Sequence, residues 1–176
     1  MKFIETPLAD LYVIEVEPIE DARGFFARSF CTREFRSHGL QHAIAQCNIS
    51  FNEKPATLRG LHFQAAPYEE AKLVRCTRGA IYDVAVDIRP DSRTYLKWFA
   101  VELSPDNRHM IYIPQGFAHG FQTLVEKSEI LYFMSEFYHA ESARGLRWDD
   151  PALAITWPLG NPVISDKDRS YPYIAK

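Results

Sequence analysis

The sequence predicts an all-β chain, a two-sheet β-sandwich or jelly roll with short peripheral helices, and two observations predict it. First, ten short runs rich in aromatic and β-branched residues recur: Leu11–Glu17, Phe25–Phe30, Ala43–Phe51, Leu58–Gln64, Lys72–Arg75, Ala80–Ile88, Trp98–Leu103, Met110–Ile113, Gly120–Leu124 and Glu129–Met134. Second, turn chemistry separates them, most plainly at Asp21-Ala-Arg-Gly24, Arg89-Pro-Asp-Ser92 and Ser104-Pro-Asp-Asn107. There Pro presets φ, Asp and Asn bond their own backbone, and Gly supplies a positive φ.

Only Thr32–His38 reads as a helix, with Thr32 placed to cap it and Gly39 to end it. Trp148–Pro158, rich in Trp and Pro, reads as an irregular segment packed on the barrel. In Ala80–Ile88 a period of two sets Tyr82, Val84, Val86 and Ile88 on one face and Ile81, Asp83, Ala85 and Asp87 on the other. If the Asp83 face is the inner one, the barrel holds a polar pocket. The alternative is that Asp83 and Asp87 point to solvent.

At 176 residues and 20.3 kDa the chain suits a single domain over 1–176. Its 47% hydrophobic residues, with 12 Phe, 9 Tyr and 3 Trp, exclude an intrinsically disordered chain. No run approaches the roughly 18 apolar residues of a membrane span. Glu5 interrupts the start where a signal peptide would stay apolar, so the expectation is a cytoplasmic protein with no membrane partner. A net charge of −3 gives no basic field for nucleic acid, so an anionic ligand has to be met locally. Cys31, Cys47 and Cys76 are odd in number and widely spaced, which reads as small buried hydrophobes rather than a disulfide framework or a zinc site.

Two polar clusters stand out. One is Thr57-Leu-Arg-Gly-Leu-His-Phe-Gln64, followed by Glu69, Glu70 and Lys72; the other is Ile113-Pro-Gln-Gly-Phe-Ala-His-Gly-Phe121. The Pro-x-Gly-x-x-His spacing at Pro114, Gly116 and His119 resembles the second half of the cupin motif, with His62 and the carboxylates after it at the first half. That resemblance implies a cupin-like jelly roll with both histidines pointing inward. Where cupins carry His-x-His this chain has His62-Phe-Gln64, an amide in place of a nitrogen ligand, and first-row metals favour imidazole and carboxylate. The main expectation is therefore no metal and no cofactor. A metal-dependent dioxygenase or isomerase using His62, Glu70 and His119 is the competing class.

A metal-free barrel with His62, Asp83, Lys72, His119 and Tyr132 around one cavity suits proton abstraction beside a ketone. Such a carbon acid is deprotonated at neutral pH only if the enolate oxygen is stabilised as charge develops. His62 with a carboxylate partner fits the base, and Lys72 fits the enolate stabiliser. Inversion needs an acid across the cavity, for which Tyr132 on a later strand is placed.

A wider set then becomes legible: Asp21-Ala-Arg-Gly-Phe-Phe26, Gln46-Cys-Asn-Ile-Ser50, Leu58-Arg-Gly-Leu-His-Phe-Gln64, Lys72-Leu-Val-Arg-Cys76, Asp83-Val-Ala-Val-Asp-Ile-Arg89, Ile113-Pro-Gln-Gly-Phe-Ala-His-Gly-Phe121, Trp148-Asp-Asp-Pro151, Ile155-Thr-Trp-Pro158 and Ser165-Asp-Lys-Asp168. In this order, and over nearly the whole chain, the set resembles the dTDP-4-dehydrorhamnose 3,5-epimerase family. The resemblance implies an isomerase of dTDP-rhamnose biosynthesis, without cofactor, that epimerises a nucleotide-linked 4-keto-6-deoxyhexose at C3, C5 or both. By that resemblance His62 matches the general base, Tyr132 the general acid and Lys72 the group beside the C4 oxygen. Asp168 matches the carboxylate paired with the base, while Asp83 and His119 match polar groups of the same pocket. Arg59 matches a diphosphate ligand, Gln46, Asn48 and Lys167 match nucleotide-sugar contacts, and Tyr138 matches an aromatic stacked on the nucleobase. Arg23 and Phe26 resemble residues donated across the interface of a homodimer.

Taken singly, Arg59 reads as a surface ion-pair residue, Tyr132 as core and Asp168 as a solvated carboxylate. Independent surface residues would not reproduce the whole ordered set. A third class, a binding module without turnover, lacks a reason to carry both a base and an acid. Arg28 stands where most family members have a glutamate beside the nucleobase, and a guanidinium cannot accept a hydrogen bond from thymine N3–H, which leaves a non-thymidine nucleotide open. Two further expectations concern parity. Tyr132 and Tyr138 share a face if their strand runs on. Arg59 and His62, three apart, share a face only if Gly60 supplies a bulge.

Overall fold

The computed structural model describes residues 1–174, so the last two positions of the expected 1–176 domain lie outside the described residues. In chain order the elements are β1 (Lys2–Glu5), β2 (Tyr12–Glu15), β3 (Ile19–Asp21), β4 (Gly24–Phe26), α1 (Thr32–Ser37), β5 (Gln46–Asn52), β6 (Leu58–Gln64), β7 (Lys72–Arg78), β8 (Ile81–Asp87), β9 (Trp98–Leu103), β10 (Met110–Ile113), β11 (Phe117–Thr123), β12 (Ser128–Met134), β13 (Ala143–Gly145) and α2 (Asp166–Arg169). One sheet has six strands in the order β1-β2-β10-β7-β12-β5 and the other five in the order β13-β6-β11-β8-β9, while β3 and β4 form a hairpin apart from both. The cupin-like jelly roll is the observed architecture.

Alternation along the strands builds three apolar layers. Between the sheets lie Val74, Cys76, Ile111, Ile113 and Ile130 from one side and Ile81, Ala85, Leu103, Phe117 and Phe121 from the other. Full burial of such a side chain contributes on the order of 1.5–3 kcal/mol. The outer face of the six-stranded sheet is covered by Phe35 and Leu40 over Ile14, Leu73, Met110 and Tyr112. The outer face of the five-stranded sheet, through Leu61, Val84 and Val86, is covered by Leu146, Leu153, Ile155 and Trp157. Trp148–Pro158 is thus an irregular cover, pinned by Trp98 Nε1 donating to Leu153 O at 2.9 Å and Trp157 Nε1 to Trp148 O at 3.0 Å.

Tertiary pairing moved several boundaries. Strands β6, β9 and β10 have the expected limits, but Phe25–Phe30 is strand only to Phe26, because β4 pairs with β3 alone. Phe30 instead packs on Phe35 at 4.8 Å between ring centroids. The helix begins one residue too early for Thr32 to cap it: the Phe35 N–H is taken by Cys31 O at 3.0 Å, and the cap position is Cys31 with no side-chain hydrogen bond. Gly39 does end it, at φ +72°. Asp83 and Asp87 are fully buried, so the solvent-facing alternative for that strand fails. Cys47, expected to be buried, is exposed because β5 is an edge strand and Cys47 lies on its outward face, away from Asn48 and Ser50.

Candidate active site

The site begins with an irregularity in β6. His62 pairs with His119 and Arg59 with Phe121, so two residues of β6, Gly60 and Leu61, stand opposite the single Gly120 of β11. The extra residue restores parity, and Arg59 and His62 line the same cavity. Gly60 sits at φ +131°, and a Cβ there would lie 2.5 Å from Gly120 Cα and 2.9 Å from His119 O. Only glycine suits that backbone and that approach.

His62 Nε2 lies 2.7 Å from Asp168 Oδ1. Asp168 is buried on the one-turn helix α2, whose N-terminus is fixed by Ser165 Oγ accepting the Asp168 N–H at 3.1 Å, and its other oxygen accepts the Gly60 N–H at 3.1 Å. Burial raises the pKa of Asp168, but the His62 contact and the Gly60 N–H outweigh it, and the net shift is downward. A carboxylate accepting from Nε2–H leaves the imidazole lone pair on Nδ1. On β11, His119 Nε2 lies 3.0 Å from both oxygens of the buried Asp83 of β8.

The facing sheet supplies the other groups. Lys72, Val74 and Cys76 alternate inward along β7, with the apolar pair in the core and Lys72 at the cavity end. Its Nζ donates to His62 O at 3.2 Å and lies 3.1 Å from Glu70 Oε1. Tyr132 on β12 is opposite Asn48 of β5 and Val74 of β7. Burial pushes its phenol well above the usual range and the Asp83 carboxylate adds to this, against Arg59 and a hydrogen bond with Ser50. Arg59 Nε donates to Asn52 Oδ1 at 2.7 Å, which ties the guanidinium to the end of β5.

The cavity has two lobes. The inner one, about 320 Å³, is lined by Arg59, His119, Tyr132 and Ser50 among others, and the outer one, about 480 Å³, by Gln46, Tyr138, Lys167 and Tyr171 among others. His62, Lys72, Asn48 and Met134 belong to both. His62, Lys72 and Tyr132 therefore converge on one space, with Asp168 behind the first and Asp83 behind His119.

Tyr138 arrives by a different route from the one expected. Strand β12 stops at Met134, and Tyr138 stands on the loop beyond it, 63% exposed, with its N–H donating to Gln46 Oε1 at 3.0 Å. That loop is held by Gln64. Its Nε2 donates to Tyr68 O at 2.8 Å and Phe137 O at 3.0 Å, and its Oε1 accepts the His139 N–H at 2.6 Å. Three backbone partners of two kinds explain an amide in place of an imidazole. Tyr171 escaped the sequence reading altogether: its ring meets the His62 ring edge-on at 6.0 Å and packs where a Cβ on Gly145 would clash. Nothing in its local sequence pointed to this.

Three expected contacts lie elsewhere in this chain. Arg23 is at the tip of the exposed β3–β4 hairpin, bonded to Asp21, and Phe26 is 73% exposed on the same hairpin. Arg28 pairs with Glu34 at 3.0 Å, on the α1 side. The metal set does not assemble either: His62 is held by Asp168, Glu70 by Lys72 and the Gln64 N–H, and His119 by Asp83. Among the described residues no group of three His, Cys, Asp or Glu side chains is placed to hold a metal ion.

Comparison with known proteins gives concordant results. The family model for dTDP-4-dehydrorhamnose 3,5-epimerase matches residues 5–176. A dTDP-4-dehydrorhamnose 3,5-epimerase of Sinorhizobium fredii is 44% identical over 100% of this chain and 91% of its own. The crystal structure of the enzyme of that name from Elizabethkingia anophelis superposes with a TM-score of 0.96 at 39% identity, over 98% of this chain and 96% of that one. A dTDP-6-deoxy-D-glucose-3,5-epimerase from Legionella pneumophila, in complex with dTDP-4-keto-L-rhamnose, gives a TM-score of 0.91 at 38% identity over 98% and 92% of the two chains.

Proposed function

This chain belongs to the dTDP-4-dehydrorhamnose 3,5-epimerase family, and from that premise we propose how its residues invert C3 and C5 of dTDP-4-dehydro-6-deoxyglucose. It is a carbohydrate epimerase of the isomerase class. The observation that carries the reading is that His62 and Tyr132 come from opposite sheets and line one cavity with Lys72 between the two lobes.

His62 removes the proton beside the 4-keto group through Nδ1, while Asp168 holds the ring from Nε2 and stabilises the imidazolium that forms. Electrons shift into the C4 carbonyl, and Lys72 donates a hydrogen bond to the developing enolate oxygen. Tyr132, kept protonated by its burial, returns a proton from the opposite wall and the centre is inverted. Arg59 meets the diphosphate, with His119 beside it, and the outer lobe holds the nucleotide through Gln46, Asn48, Lys167 and Tyr138. The exposed hairpin with Arg23, Phe25 and Phe26 supports a homodimer in which it reaches the partner's site. Among the described residues no helix is long and apolar enough to cross a membrane.

In deuterated water, dTDP-4-dehydro-6-deoxyglucose should gain deuterium at C3 and C5 when the protein is added. Absence of exchange with every nucleotide 4-ketosugar offered overturns the reading.

A further inference from the structure

Glu70 makes no bond to His62, Tyr132 or Asp168, yet it is buried at the centre of the site. Its side chain is 5% exposed and that of its partner Lys72 7%. One carboxylate oxygen lies 3.1 Å from Lys72 Nζ and the other accepts the Gln64 N–H at 3.1 Å. The carboxylate therefore bridges the strand that carries His62 and the strand that carries Lys72. An ammonium has three hydrogens. Glu70 takes one and His62 O, at 3.2 Å, takes a second, which leaves one for the cavity that Lys72 lines.

We propose that Glu70 is a positioning residue for the epimerisation: it anchors the Lys72 ammonium so that its one uncommitted N–H points at the C4 oxygen of the substrate. This rests on the reading of Lys72 as the enolate stabiliser. The chemistry of the two partners explains why a carboxylate is needed. Both the Lys72 ammonium and the Gln64 N–H are donors, and a carboxylate accepts from both. An amide in the same place has one oxygen and one NH2, so it satisfies one partner and opposes the other. Loss of the charge also leaves a buried ammonium without its counter-ion. Glu70 lines the outer lobe only where Lys72 stands, and both of its carboxylate oxygens are committed to Lys72 and the Gln64 N–H, so its removal should change the chemical step more than binding.

The test compares wild type, Glu70→Gln, Lys72→Met and the double variant. For Glu70→Gln, kcat and deuterium wash-in should fall together by about tenfold or more, short of the 10²–10³ that deleting a transition-state donor costs. KM and the affinity for dTDP should stay within about twofold. Because Glu70 acts through Lys72, the melting temperature lost to Glu70→Gln alone should not be lost again in the Lys72→Met background, where neutralising Glu70 removes an unpaired buried carboxylate. Unchanged kcat, or weakened dTDP binding with kcat retained, overturns the proposal; so does an equal loss of melting temperature in both backgrounds. If Glu70→Gln does not fold, the double variant should, and its failure to fold also overturns it. A wild type that exchanges no deuterium removes the epimerase reading instead, while the melting comparison still tests the pair.

Discussion

The carbonyl oxygen of His62 accepts a hydrogen bond from Lys72 Nζ at 3.2 Å. His62 thus contributes twice: its ring meets Asp168 and its backbone holds the ammonium. Base and cation come from facing sheets, and this bond ties them together directly, so a shift of His62 in β6 would disturb both.

Base and acid should separate by isotope exchange. His62→Ala should abolish both turnover and wash-in, since no carbanion forms. Tyr132→Phe should lose net inversion while still exchanging, because the enolate forms and is quenched from the side it left. The readout is proton NMR of the sugar in deuterated water, and equal loss of exchange in the two variants would remove the two-residue mechanism.

Gln64→Ala should act on binding. It leaves Tyr68 O, Phe137 O and His139 N–H without their partner and frees the loop that carries Tyr138. A fully buried unsatisfied group costs about 1–3 kcal/mol, and these part-buried ones cost less, which loosens the loop without unfolding the protein. KM should rise at least severalfold, about 3-fold or more, with kcat nearly kept. Steady-state kinetics would contradict this by showing kcat falling at constant KM.

Gly60→Ala should destabilise the fold by on the order of 2–3 kcal/mol, from the positive φ and the approach to the Gly120 backbone together. Urea unfolding measures it. Gly160→Ala, with open space around it and no positive φ, is the control and should be near neutral.

Asp87 governs acid stability at the far end of β8. It accepts from Arg89 Nε at 2.9 Å, Ser92 Oγ at 2.6 Å and Thr94 Oγ1 at 2.7 Å. Burial raises its pKa, but these bonds overcome it and bring the carboxyl to about 2, below the ordinary 3.8. A depressed folded pKa gives stability that is present above the ordinary value and lost as pH falls through the folded one. Melting temperatures of wild type and Asp87→Asn should therefore differ most above about pH 4 and converge toward pH 2. A constant gap would refute this assignment.

The exposed hairpin predicts a homodimer with shared sites. Light scattering at micromolar concentration should give twice the chain mass, and Arg23→Ala should raise KM although Arg23 bonds only Asp21 in its own chain. A fully active monomer would remove the argument.

The strands most legible in sequence were largely buried apolar or aromatic runs such as Met110–Ile113, and runs bounded by clear turn signals such as Trp98–Leu103. Those missed are pairing products. Ala143–Gly145 has no β-forming residue and is a strand only because it lies along Gln64–His62. The helix at Asp166–Arg169 did carry a signal, since Ser165 followed three residues later by Asp168 is a capping pattern. That His62, Asp168, Lys72 and Tyr132 meet was readable because the resemblance covers their segments. Glu70 and Gln64 were visible only as a defective metal motif, because their partners are backbone groups and a neighbour two residues away. Tyr171 was invisible because its place depends on the packing of Gly145, which no local pattern encodes.

The two-lobed cavity separates grip from reaction. The residues of the inner lobe sit on strands whose register fixes them, whereas much of the outer lobe, proposed to hold the nucleotide, is loop, from Glu136 to Tyr138, and the α2 region with Lys167 and Tyr171. A loop can be rewritten without disturbing a ladder of hydrogen bonds. Redesign toward another nucleoside can therefore be confined to that outer rim, with the strand-borne residues of the inner lobe left unchanged.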